Sequence, residues 1–160
     1  MTDSKDPVST NAAWHWLFPA TYLLHVAEEY WVGGGYSAHL ARTQGVVLSP
    51  SRFLWLNLLG VGLMAVGIML ARRLRFPDWM LSCLAVVFIV NALSHLAGSV
   101  TTGGYDPGVI TGVLIWIPLG AATLYYLKKR MRWGRLLTAA AAGLAIQAVV
   151  SLLAQSGGRL

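Results

Sequence analysis

Residues 22–31, Tyr-Leu-Leu-His-Val-Ala-Glu-Glu-Tyr-Trp, set a histidine and two adjacent acids inside an apolar stretch. His25, Glu28 and Glu29 are spaced i, i+3, i+4, so on a helix they share one face. At about 100° per residue they fall within an arc of about 100°. Asn91 and His95 repeat the i, i+4 pairing farther along. Imidazole and carboxylate ligands suit zinc, iron or manganese. Helix bundles hold such metals on inward-facing Glu and His three residues apart, and His25-x-x-Glu28 has that spacing in reversed order. The expected metal set is therefore His25, Glu28, Glu29 and His95. Glu28, Glu29 and His95 are also the expected catalytic groups. Asn57, Asn91, Tyr105 and Asp106 are expected to orient ligands or substrate. A metal-free alternative keeps one Glu protonated by burial beside its charged neighbour, for acid/base isomerisation or proton-coupled transport.

The surroundings of these residues are those of a membrane protein. The 160 residues are 56% hydrophobic and only 11% charged, with a mean hydropathy of +0.60. A soluble domain of this size needs more polar surface. A helix of roughly 20 residues crosses the hydrocarbon core, and five apolar segments of that length can be drawn, at about 14–31, 52–71, 77–98, 108–127 and 134–154. The fold expected is an all-α transmembrane bundle of about five spans in a single domain over residues 13–156. It follows a polar, disordered tail over residues 1–12. Residues 32–51 are expected as the longest loop. Pro118 is expected to kink the fourth span.

The net charge of +6 comes mainly from two clusters, Arg72-Arg73-Leu74-Arg75 and Lys128-Lys129-Arg130-Met131-Arg132 with Arg135. Each follows an apolar run, as cytoplasmic loops do. A nucleic-acid role needs a basic folded surface instead, so that class is set aside. Both clusters lie on one side only if the N-terminus is cytoplasmic and the C-terminus outside. That orientation and the plasma (inner) membrane are the expectation. With a rise of about 1.5 Å per residue, His25 then lies near the midplane, and Glu28, Glu29, Asn57, Asn91 and His95 lie in the outer half. Ionisable groups inside a membrane mark functional sites by default, and three spans placing them at one depth points to a single site.

Other residues read more plainly. Cys83, the lone cysteine, is expected to be a small buried group. His39 is expected in a solvated loop. Asp78, in the first turn of the third span, suits the helix dipole and has Arg72 or Arg75 as expected partners. Ala139, Gly143, Gln147 and Ser151 form a small-residue strip on the fifth span, a packing seam either within the chain or between copies.

His25-Val26-Ala27-Glu28-Glu29 resembles the defining motif of the HXXEE family of small multi-pass membrane proteins. The run from Asn91 to His95 and the run Tyr105-Asp106-Pro107-Gly108-Val109-Ile110-Thr111 resemble that family's second block. The resemblance implies an integral membrane protein in which His25, Glu28, Glu29, Asn91 and His95 matter, and it supplies no activity. Sterol isomerases of the emopamil-binding type are similar only in being compact multi-pass bundles with His and Glu around a lipid-facing cavity. The function expected is an intramembrane metal-dependent enzyme acting on an apolar or lipid-like small molecule. A metal-free isomerase, a proton- or cation-coupled carrier and a non-catalytic membrane subunit are the alternatives. The bilayer is the expected partner, and homo-oligomerisation is compatible with so small an interior.

Overall fold

In a computed structural model, residues 12–156 and 158–159 are described; the tail expected over 1–12 lies, apart from Ala12, outside the described residues. Among the described residues the regular secondary structure is helical, apart from one short two-stranded pairing. Helix α1 is Ala12–Trp31, α2 Tyr36–Gln44, α3 Pro50–Arg73 and α4 Pro77–Thr102. Helix α5 is Val109–Leu127 and α6 is Trp133–Gln155. Strand β1 (Val46–Val47) pairs antiparallel with β2 (Gly158–Arg159).

Helices α3, α4, α5 and α6 are long and apolar enough to cross a membrane. They carry large exposed apolar side chains, among them Trp55, Leu114 and Trp133 at 69–70% exposure. Such a surface suits contact with lipid rather than water. Helix α1, which covers the first expected span, has 20 residues and is not among those four. It holds His25, Glu28 and Glu29 together.

Helix α4 is central. In its apolar window 44% is buried, against 17–22% in the other three. Its small residues permit close contact. A side chain at Gly143 of α6 would strike the Cys83 carbonyl and Val86 of α4, and one at Gly112 of α5 would press on Ala92. Ala139, Gly143 and Gln147 are buried, so the small-residue strip of α6 packs within the chain. Phe18, Phe88 and Trp116 join α1, α4 and α5 in the core.

Three expectations need correction. Residues 32–51 hold helix α2 and strand β1 rather than a plain loop. The three glycines Gly33, Gly34 and Gly35, all at positive φ, reverse the chain so that α2 packs back over the end of the bundle. His39 is therefore buried, at 6% exposure, rather than solvated. Asp78 pairs with Arg130, Nε to Oδ2 at 3.5 Å, and not with Arg72 or Arg75. The disturbance expected at Pro118 takes the form of a π-helical turn over Gly112–Trp116. Pro118 has no N–H to donate to the preceding turn, and a wider turn absorbs the mismatch.

Candidate metal centre

The Tyr105–Thr111 turn organises the site. Glu28 reaches from α1 to the start of α5 and meets a ring of donors. Its Oε1 accepts from the Tyr105 hydroxyl at 2.6 Å, the Gly108 N–H at 3.1 Å and the Ile110 N–H at 3.0 Å. Its Oε2 accepts from the Thr111 N–H at 2.7 Å and from the Thr111 hydroxyl. The first N–H groups of a helix have no partner of their own, and no side chain of the turn caps this one. Glu28 supplies the cap from another helix, with its charge at the positive end of the dipole. Tyr105 lies outside the spans. Burial, then its bond to Glu28, raises its phenol well above the ordinary value, which keeps it a donor.

Glu29, the next residue, faces elsewhere. Its Oε1 lies 3.3 Å from His95 Nε2 and 3.6 Å from His25 Nε2. The ring centres of His25 and His95 are 5.1 Å apart. His25, Glu29 and His95 are all buried, each can offer one ligand atom, and those atoms lie within 4.8 Å of one another. The three residues could hold a metal ion.

The other nitrogen of each ring is committed. His95 Nδ1 is 2.8 Å from Asp106 Oδ1, and Asp106 Oδ2 is 3.3 Å from His39 Nε2. His25 Nδ1 is 2.7 Å from Thr111 Oγ1. Because the Thr111 hydroxyl donates to Glu28, its oxygen accepts from His25 Nδ1–H. In the tautomers with a proton on each Nδ1, both Nε2 atoms would present lone pairs to Glu29. His25 Nε2 is buried with no hydrogen-bond partner. A shared proton or a metal cation among these atoms would offset the cost of burying the Glu29 carboxylate.

The fit to a metal can be tested on distances. Ligand atoms about 2.1 Å from a tetrahedral ion stand about 3.4 Å apart. The two separations from Glu29 Oε1, 3.3 and 3.6 Å, bracket that value, and all three ligand atoms lie within 4.8 Å of one another. Carboxylate or hydroxyl partners on the far ring nitrogen are the usual support of metal-binding histidines, and both rings have one.

The remaining residues of the expected site divide. Tyr105 joins the Glu28 cap. Asp106 supports His95, and its N–H is held by Ser99 Oγ at 3.1 Å. Asn57 lies apart from the centre: its Oδ1 accepts from the Tyr22 hydroxyl at 2.7 Å and its Nδ2 donates to the Phe53 carbonyl at 2.9 Å. Asn91, one turn before His95, lies beside His25, and its buried Oδ1 makes no hydrogen bond of good geometry. Glu28 is outside the three-residue group; its two oxygens are taken by the turn.

Several contributors were not singled out from the sequence. Thr111 links Glu28 to His25, and His39 extends the chain from His95 through Asp106. Trp116 stacks on His25, with ring centres 3.8 Å apart. Gly108, at φ +104°, lies where a side chain would strike both histidine rings. Thr111 and Gly108 belong to the Tyr105–Thr111 run, and Tyr36 and His39 stand at i, i+3. Those were the available signals.

A family model described as a protein of unknown function with HXXEE motif matches residues 16–123. No curated protein and no solved structure matches the chain.

Proposed function

The chain belongs to the HXXEE family of proteins of unknown function, and from the chemistry of the site we propose that it is an intramembrane metalloenzyme acting on an apolar or lipid-like substrate. His25 and His95 bind a divalent ion through Nε2 and Glu29 binds it through a carboxylate oxygen. The observation that carries this reading is the commitment of both Nδ1 atoms, to Thr111 and Asp106, which leaves both Nε2 atoms and one Glu29 oxygen within 4.8 Å of one another. Zinc, iron and manganese all accept this donor set. Such an ion supplies a Lewis acid with a coordination position left open to a substrate oxygen. Asp106 and Thr111 hold the rings, and Glu28 holds the turn that carries both.

Elemental analysis of protein purified without chelator tests the reading. About one metal per chain is expected in the wild type, and little in His25→Ala, Glu29→Gln or His95→Ala. A chain free of metal under anaerobic purification sinks the metalloenzyme reading. A second reading then takes its place, for which the 3.3 Å approach of His95 Nε2 to Glu29 Oε1 is the supporting observation. In it the pair shares a proton and performs acid/base isomerisation without a metal.

A further inference from the structure

We propose that a cavity of about 280 Å³ beside Glu29 is the entrance to the centre, and that it receives the small, uncharged, oxygen-bearing head of an amphipath. The head is a hydroxyl, carbonyl or ester. This ligand class rests on the metalloenzyme reading; the entrance does not.

Glu29 lines the cavity, while His25 and His95 do not. The two rings are closed off on other sides, by Trp116 stacked on His25 and by Gly108 against both. Tyr36 lies between the cavity and the centre. Its ring packs edge-on to His95 at 5.7 Å and tilts against Phe53 at 6.1 Å. Glu29 and Tyr30 place the cavity where α1 ends, one residue before the 75% exposed Trp31. Aromatic residues at a helix end mark the headgroup level of a bilayer, so a ligand arrives there with its tail still in lipid. Pockets that enclose a drug-sized ligand measure roughly 300–1,000 Å³. A space of 280 Å³ takes a head and leaves the tail outside.

The lining selects by charge. Tyr30, Tyr36 and Phe53 give aromatic walls, Gly34 and Gly35 give backbone, Ser37 gives a hydroxyl, and Glu29 is the one charged group. A phosphate or sulfate head meets a carboxylate with no lysine or arginine in the lining. A cationic head meets the N-terminal end of α2 and the ion that shares Glu29. A neutral oxygen head avoids both penalties and offers a ligand atom to an open coordination position.

Cysteine accessibility in maltoside micelles, in a Cys83→Ser background, tests both halves. Mixed-disulfide formation at Glu29→Cys with a small neutral methanethiosulfonate, which releases methanesulfinate, is expected to slow about tenfold when Ala38→Trp fills the mouth, an activation difference near 1.4 kcal/mol. An unchanged rate in a monodisperse variant overturns the entrance. If that variant does not fold, Ser37→Trp replaces it. With Glu29 intact, labelling of Ser37→Cys is expected to be slowed by 1-decanol, and not by decyl phosphate or decyltrimethylammonium. Equal protection by either charged compound overturns the ligand class. Protection by decanol in a chain that binds no metal supports the entrance and rejects the metalloenzyme reading.

Discussion

Glu28 and Glu29 are the same residue type at adjacent positions, and a helix turns them to different neighbours. Glu28 satisfies donors from Tyr105 to Thr111. Glu28→Gln keeps one acceptor oxygen but sets an NH2 against the donors of the other, and a buried N–H left unpaired costs roughly 1–3 kcal/mol. Glu28→Gln is expected to lower the thermal midpoint by several degrees, read by tryptophan fluorescence on heating. Glu29→Gln leaves that cap intact and should instead abolish metal binding. The reverse pattern, Glu28→Gln stable and metal-free, would exchange the two roles. Asp106→Asn keeps the shape and removes the charge behind His95. Such supporting partners are worth about 10–100-fold in metal affinity, measurable by competition with a chelator. His39, one bond farther out, should have the smaller effect. Tyr105 carries a sign of its own. Its pKa is raised on folding, so its stabilisation is complete below about pH 10 and is lost as pH rises above that ordinary value. Denaturant unfolding of wild type and Tyr105→Phe across that range should converge at high pH.

At the scale of elements, the turn that opens α5 does most of the positioning. Gly108 allows the backbone to pass against His25 and His95, and its positive φ is a conformation other residues adopt at a cost. Gly108→Ala therefore carries both a strained backbone and a collision with the rings. It is expected to reduce metal occupancy while the helix content measured by circular dichroism stays unchanged. Gly98 does the same service for Asp106, whose carboxylate fills the space a side chain would need. The π-helical turn Gly112–Trp116 ends at Trp116, which stacks on both His25 and Phe88. A regular helix would shift that indole around the axis. The turn thus connects the helix-disrupting Pro118 to the orientation of a ring beside the centre.

For the whole molecule, an ion held by His25, Glu29 and His95 would join α1 to α4, with α2 and α5 attached through Asp106, His39 and Thr111. Binding to the folded state alone stabilises it, by about 2.7 kcal/mol at a hundred times the dissociation constant. Added zinc or manganese should raise the thermal midpoint of the wild type and leave His95→Ala unmoved. A rise of equal size in both would place the ion elsewhere. The packing of Gly143 against α4 makes Gly143→Leu a disruption of the monomer; it should reduce folded yield.

Much of this was legible in the sequence, because membrane segments obey a length rule and helical ligands a spacing rule. The apolar runs located α3, α4, α5 and α6, since backbone groups in lipid are satisfied within each helix. The i, i+4 spacing brought His25 and Glu29 to one face, and the i, i+4 pair Asn91 and His95 marked the facing helix. Spacing along one helix says nothing about which neighbour a side chain meets. Only the tertiary structure separated Glu28 from Glu29, because Glu28's partners come from a turn about 80 residues away along the chain. It also set Asn57 apart from the centre and drew His39 in, through a reversal at three glycines whose direction depends on what α2 packs against. Local sequence fixes where the chain is helical and which groups share a face; long-range packing decides which of those groups touch.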